Sequence, residues 1–161
     1  MKKDFPLALF AKKILKLDEN KISQKVFANK NLQLEVVRLN TEIQLFSEGK
    51  NIFGQRLKSE FGRKGMVYSN RTIFGGKGFE GKLTKHQPID RVTLKDTGAF
   101  YATFKANVAS EGLDITADTS LHGEDLQNTW GFVVGLDDEN KSKAVEFAKP
   151  IFIQNVQNAI L

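Results

Sequence analysis

The clearest periodic pattern in the chain is a row of apolar residues spaced alternately four and three positions apart. The row consists of Leu32, Val36, Leu39, Ile43 and Phe46. Residues at this spacing lie on one face of an α-helix, and Gly49 follows where a C-capping glycine is expected. The pattern therefore predicts a helix that begins near Ile22 or Asn31, ends at Glu48 and packs on a sheet.

A second, short helix is predicted within residues 94–104. Asp96 or Thr97 can cap it, because a short side-chain oxygen accepts hydrogen bonds from the unpaired amides of a first helical turn. Phe100 and Phe104 are four residues apart and therefore share one face of this helix.

A β-hairpin is predicted directly after this helix, because apolar and polar residues alternate through residues 105–109 and again through residues 113–118. A two-residue loop would consist of Glu111 and Gly112. That loop would pair Val108 with Ile115, Ala106 with Ala117 and Lys105 with Asp118. A longer loop stays open as an alternative, because Glu111 suits the first position of a tight hairpin turn poorly.

The chain ends in a predicted helix that starts at Asp137 or Asp138. Its apolar side comprises Ala144, Val145, Ala148, Ile151, Phe152, Val156 and Ile160. Pro150 lacks a backbone N–H and its ring clashes with the preceding turn, so we expect a kink near Glu146. Residues 130–136, ahead of the helix, form either a loop or a short strand.

Two segments lack such clear patterns. Residues 62–85 combine glycine and cationic residues with scattered apolar ones, which predicts a long functional loop or an irregular hairpin. Residues 1–20 contain a short amphipathic stretch rich in lysine and are interpreted as a basic arm. The 161 residues are therefore expected to form a single α+β domain. In it, a twisted, mainly antiparallel sheet is packed by the long helix and the C-terminal helix.

Composition narrows the class of protein. Hydrophobic residues make up 40% of the chain and charged residues 27%, which is ordinary for a globular domain. The chain has no cysteine, which excludes disulfides and thiolate metal sites. No signal peptide or membrane span is predicted. Phenylalanine is over-used, with 13 residues, and these are interpreted either as core or as interface anchors.

Charge is divided unevenly along the sequence. Residues 56–91 hold nine basic and three acidic residues, whereas residues 92–161 hold five basic and ten acidic ones. This division is typical of ordinary solvated faces, of a surface for nucleic acid, or of head-to-tail packing between identical subunits.

No catalytic or cofactor motif is complete. Gly76, Gly81 and Lys82 have the spacing of a phosphate-binding loop, but Leu83 stands where a Ser or Thr would be needed. His86 and His122 lack a second His or Cys at metal-ligand spacing. We therefore expect no catalytic residues, no metal and no cofactor.

Three stretches carry a resemblance to a known family. They are Leu39-Asn-Thr-Glu-Ile-Gln-Leu-Phe-Ser-Glu-Gly49 with Gly54-Gln-Arg-Leu57, then Gln87-Pro-Ile-Asp-Arg-Val-Thr-Leu-Lys-Asp-Thr-Gly-Ala-Phe100, and Gly135-Leu-Asp-Asp-Glu-Asn140. In this order they resemble the small tail-completion and head–tail connector (neck) proteins of tailed bacteriophages, in the form found in Bacteroidetes phages and prophages. The resemblance covers roughly residues 32–160.

The resemblance implies a fold of helices and strands, no enzyme activity and a multi-copy ring at the head–tail junction or in the tail. It also implies a virion location after assembly in the bacterial cytoplasm. The implied partners are other copies of the chain and other neck, portal or tail proteins. Genomic DNA in the channel would lie close by, and no membrane is involved.

The charge pattern and the aromatic residues together give the predicted sites. The expected subunit-interface residues are Phe74, Phe79, Trp130, Arg71 and Lys77. The residues expected to face DNA are Arg63, Lys64, Lys82 and Lys85. An alternative function is that of a small basic nucleic-acid-binding protein that uses residues 62–85.

Overall fold

The computed structural model describes residues 13–58, 67–120 and 125–160. The α-helices are α1 (Glu19–Phe27), α2 (Lys30–Arg38), α3 (Asn70–Phe74), α4 (Ala99–Ala102), α5 (Leu126–Trp130) and α6 (Asp138–Ile160), and a π-helix spans Leu39–Glu48. The strands are β1 (Gly75–Gly76), β2 (Phe79–Glu80), β3 (Lys105–Val108) and β4 (Leu113–Thr116). The predicted α+β class is confirmed. In the described part of the chain the strands form two separate two-stranded antiparallel sheets instead of one larger sheet.

Of the two predicted starts of the long helix, the one near Asn31 agrees with the structure, where α2 begins at Lys30, and the helix changes its winding in the middle. Asp18 and Asn29 cap α1 and α2 through side-chain oxygens that accept backbone N–H groups of the first turn. The helix then continues from α2 into the π-helix and ends at Gly49, whose φ of +63° confirms the predicted capping role. A side chain at Gly49 would also collide with the carbonyl oxygen of Val92, since its Cβ would lie 2.8 Å away.

The apolar residues form two core clusters, and the π-helix contributes one buried leucine to each. The first consists of Leu45, Leu57, Val92, Phe100, Tyr101, Phe104 and Val133, and the second of Val26, Leu32, Val36, Leu39 and Leu136. The predicted short helix does not reach Phe104, because α4 ends at Ala102, but the rings of Phe100 and Phe104 still pack together with their centroids 4.9 Å apart. Most residues of the predicted apolar row therefore face the core, where the helix that carries them contacts α6 and the β3–β4 hairpin.

The two clusters are connected by buried amide side chains of the π-helix, which we call the amide ladder. Asn40 accepts a hydrogen bond from Gly135 N at 2.8 Å and donates to Val133 O at 3.2 Å. Gln44 donates to Gly135 O at 2.9 Å and accepts from Asp137 N at 2.8 Å. Both side chains are fully buried. Residues 133–137 form no strand. Their backbone groups bond to the side chains of Asn40 and Gln44, whereas those of a strand would bond to the backbone of a neighbouring strand.

The C-terminal helix starts where the ladder ends. Asp137 lies just before α6 and accepts a hydrogen bond from Asn140 N at 2.9 Å, which confirms the predicted start. The helix runs through Pro150 to Ile160. Its predicted apolar side is only partly covered, because Val145 and Phe152 are exposed.

The β3–β4 hairpin exists, but its register differs from the expected one by two residues. Val108 pairs with Leu113 and Ala106 with Ile115, and the loop spans residues 109–112. The longer loop is held from outside, since Gln24 Nε2 donates to the carbonyl oxygens of Ala109 and Ser110 at 3.2 Å each. A shift by two keeps every side chain on the same face of the sheet, so the alternation in the sequence could not detect it.

The predicted cap of the short helix is corrected. Gly98, with φ +89°, occupies the capping position of α4 and supplies no side-chain bond. Thr97 accepts one hydrogen bond from Ala99 N at 3.2 Å. Asp96 does not cap the helix, because its carboxylate pairs with Lys85.

The glycine-rich segment 62–85 is more regular than expected over its described part, residues 67–85. It contains α3 and the β1–β2 hairpin. Most of the predicted basic arm, residues 1–12, lies outside the described residues.

Leu39→Ala tests the importance of the helical seam. Leu39 is 1% exposed, so truncation leaves a cavity and should lower the free energy of unfolding by about 2–5 kcal/mol. Urea denaturation measures this loss. Leu34→Ala is the matched control, because Leu34 is 68% exposed on the same helix and should change stability by less than about 0.5 kcal/mol.

Gln44→Leu tests the amide ladder. The substitution keeps the side chain's bulk but leaves Gly135 O and Asp137 N buried without partners, at a cost of about 1–3 kcal/mol for each group. Thermal and urea unfolding should both show the loss. Gln154→Leu, on the exposed side of α6, is the control, and equal stability of the two variants would contradict a structural role for the ladder.

Candidate interaction site

A small, largely exposed unit, residues 70–80, contains four of the five predicted interface residues. We call it the knob. Ser69 caps α3 by accepting a hydrogen bond from Thr72 N, and the chain then reverses through the β1–β2 hairpin. The buried side chain of Ile73 anchors this unit to the rest of the protein.

Two glycines allow the strands of the knob to approach each other closely. A Cβ at Gly81 would lie 2.3 Å from both Gly75 N and Ile73 O. Gly75, with φ +86°, is equally crowded, since its Cβ would lie 2.6 Å from Gly81 N. The glycine content, which predicted a long functional loop or an irregular hairpin, therefore permits a compact turn here.

The knob exposes two aromatic rings beside two cations. Phe74 is 66% exposed and Phe79 is 41% exposed. The Arg71 guanidinium lies 5.1 Å from the centroid of the Phe79 ring, within range of a cation–π interaction. Lys77 is exposed at the tip of the hairpin. Within the described part of the chain neither Arg71 nor Lys77 forms an ion pair with a carboxylate.

Trp130, the fifth predicted interface residue, is not part of the knob. It is half-buried at the end of α5 and packs against the first core cluster. It also lines a cavity of about 260 Å³ whose wall includes Tyr68, Lys82 and Gly98. The structure therefore places Trp130 against the core, whereas the other four residues lie within the knob.

Lys82, predicted to face DNA, is buried in the structure. The residue is only 9% exposed, and its ammonium donates to Gln87 Oε1 at 2.9 Å, Thr93 Oγ1 at 3.2 Å and Lys95 O at 3.0 Å. Three acceptors match the three N–H bonds of an ammonium group. The Tyr68 ring lies 4.7 Å from the nitrogen and covers a further side of it.

Of the other residues predicted to face DNA, only Lys85 lies within the described part of the chain. Lys85 is engaged by the carboxylate of Asp96, which leaves its charge partly neutralised. Arg63 and Lys64 lie outside the described residues. Within the described part of this segment, Arg71 and Lys77 are exposed without a carboxylate partner, whereas Lys82 is buried and Lys85 is paired.

The surroundings of Lys82 shift several pKa values. Burial lowers the pKa of Lys82 to about 8. Burial likewise raises the pKa of the Tyr68 and Tyr101 hydroxyls above their ordinary value. Tyr68 accepts a hydrogen bond from Thr93 N at 2.9 Å, and Tyr101 donates to the carbonyl oxygen of Thr93. Thr93 therefore connects Lys82 to both tyrosines.

This cluster holds the knob in place. The backbone N–H of Lys82 donates to Thr72 O at 3.0 Å, while its side chain reaches Thr93 and Lys95 in the body of the protein. Lys95 continues outward as an ion pair with Glu42 at 3.2 Å. With every ammonium proton engaged, Lys82 is arranged to position backbone segments and has no free donor for a ligand in the cavity.

Sequence reasoning missed two features of the described surface and core. Phe53 and Phe132 form an exposed edge-to-face pair with ring centroids 6.1 Å apart. Asn40 and Gln44 were not singled out, although two amides four residues apart on one helix, beside an apolar seam, are a recognisable sign of a buried polar contact.

The described residues hold neither a recognisable metal site nor a membrane-spanning helix. Across residues 13–58, 67–120 and 125–160, no group of three His, Cys, Asp or Glu side chains could hold a metal ion. No helix in those ranges is long and apolar enough to cross a membrane. Comparison with protein-family models, with curated proteins and with solved structures found no match.

A pH series tests the burial of Lys82. Its pKa is about 8 in the folded protein and 10.5 in the unfolded chain, so between these values the unfolded state holds more protons and stability rises with pH. The wild type should therefore gain stability relative to Lys82→Met across this window, by at most about 1.4 kcal/mol per pH unit.

Urea denaturation of both proteins at intervals across the window measures this gain, and other titrating groups cancel in the difference. Lys105→Met is the control, because Lys105 is exposed on β3. A wild-type advantage over Lys82→Met that stays constant with pH would contradict the buried ammonium.

Proposed function

We propose that this protein is a non-enzymatic structural subunit of a tailed-phage virion that forms a multi-copy ring at the head–tail junction or in the tail. The observation that carries the proposal is the knob, which presents Phe74 and Phe79 to solvent beside Arg71. Exposed aromatic rings next to arginine are typical of protein interfaces, where both residue types are enriched.

The charge division supports assembly in a ring. Identical subunits close a ring only through two different complementary surfaces. The knob belongs to the basic region 56–91, and the β3–β4 hairpin and α6 belong to the acidic region 92–161. Opposite charges would orient and register neighbouring copies, while apolar side chains would supply most of the affinity.

The position in the virion is proposed from the family resemblance. The stretches that carry it adjoin one another in the fold: Gln44 in the first bonds to Gly135 in the third at 2.9 Å. Gly49, at the end of the first, approaches Val92 in the second so closely that it excludes a side chain. The resembling residues thus form one structural unit, which supports reading them together.

A non-enzymatic role is supported by the state of the most perturbed described cation. Lys82 is an unusual lysine, yet its three N–H donors are occupied by Gln87, Thr93 and Lys95. A nucleophilic lysine needs a free amine directed at a substrate. The arrangement suits a fixed structural clamp.

The alternative function is that of a nucleic-acid-binding protein. Exposed Arg71 and Lys77, without carboxylate partners in the described ranges, favour it. Such a protein would bind DNA with an affinity that falls steeply as salt is added, because phosphate contacts release counterions.

Mass measurement in solution and negative-stain imaging of the purified protein test the proposed function. We expect closed rings in the absence of DNA. The double variant Phe74→Ala/Phe79→Ala should shift the population towards monomers, because its interface anchors are removed. Leu34→Ala, which removes an equally exposed apolar side chain elsewhere, should assemble like the wild type.

Two outcomes would count against the ring. A two-fold symmetric dimer, in which each surface meets itself, would exclude a head-to-tail ring. A monomer that binds DNA with steep salt dependence would favour the alternative function.

A further inference from the structure

An open apolar groove lies between the end of α1, α2, the β3–β4 hairpin and α6. Its volume is about 640 Å³. Its apolar lining includes Phe27, Leu32, Leu113, Ile115, Val145 and Ala148. Val145 is 57% exposed, so the groove presents apolar surface to solvent at the C-terminal helix.

Two carboxylates without cationic partners line the mouth of this groove. Glu111 and Asp114 are both exposed, and neither takes part in an ion pair within the ranges that the structure describes. Lys141 also lines the groove, but Asp138 engages its ammonium at 2.9 Å. The mouth is therefore net negative, and we call this feature the acidic groove.

The knob has the complementary character. Phe74 and Phe79 supply apolar surface, and Arg71 and Lys77 supply positive charge beside it. The knob comprises residues 70–80, whereas the acidic groove is built from α2, residues 111–115 and 134–136, and α6. The two surfaces use different residues, so contact between them joins copies head to tail.

We propose that the knob of one copy inserts into the acidic groove of the next, with Phe74 against the apolar lining and Arg71 facing Asp114 or Glu111. This inference rests on the proposed ring and names the two surfaces that would close it. Burial of the aromatic side chain supplies the affinity, and the rim charges fix the direction of insertion.

Disulfide trapping tests the contact, and the absence of cysteine from the sequence makes it clean. Lys77→Cys protein, which keeps both aromatic rings and Arg71, is mixed with Val145→Cys protein and oxidised mildly. We expect a mixed disulfide dimer to form several-fold faster than between Lys77→Cys and Leu34→Cys. Leu34 is similarly exposed, but it lies two residues from Leu32 and so on another face of α2.

Charge exchange tests the direction of insertion independently. Arg71→Glu should slow assembly at low salt, and the effect should shrink at high salt as the Debye length falls. Adding Asp114→Arg or Glu111→Arg to the same chain should restore assembly several-fold. Glu19→Arg, which reverses an exposed acid on α1, should not restore it.

The outcomes separate this inference from the proposed function. Rings that form while Lys77→Cys reacts no faster with Val145→Cys than with Leu34→Cys would overturn the knob-and-groove contact and leave the ring intact. Disulfides mainly between two Lys77→Cys copies would indicate a two-fold contact and overturn both. A protein that stays monomeric and forms no mixed disulfide would also overturn both.

Discussion

Two buried amide side chains connect the π-helix to the segment that precedes the C-terminal helix. Asn40 and Gln44 donate to and accept from the backbone of residues 133–137, which has no neighbouring strand. Buried backbone groups must find partners, because an unpaired one costs as much as a lost hydrogen bond. The ladder supplies these partners, and it also fixes which residues of the segment face each core cluster. Val133 enters the first cluster, and Leu136 enters the second.

The start of the C-terminal helix depends on the same contact. Asp137 donates its backbone N–H to Gln44 and accepts the N–H of Asn140 with its carboxylate. Helix α6 therefore begins at a point set by a residue far away in the sequence. Because α6 forms one wall of the acidic groove, the ladder also positions the surface that we propose receives a neighbouring copy.

Lys82 plays a corresponding role for the knob. Its backbone bonds to the knob and its ammonium to Thr93 and Lys95, so it positions the exposed aromatic rings relative to the core. The sequence indicated that Phe74, Phe79, Arg71 and Lys77 lie on a surface, and the structure places them on one unit. The sequence could not distinguish buried Lys82 from exposed Lys77, because both lysines follow a glycine in a stretch without periodicity.

The sequence by itself determined the features that depend on near neighbours. These are the α+β class, the helix ending at Gly49, the existence of the β3–β4 hairpin and the start of α6 at Asp138, since caps, turns and periodicity act over a few residues. Tertiary structure alone decided the hairpin register, the burial of Lys82 and the partners of Asn40 and Gln44. Each of these depends on where distant segments supply hydrogen-bond partners, and desolvation rewards only the arrangement in which every buried polar group finds one.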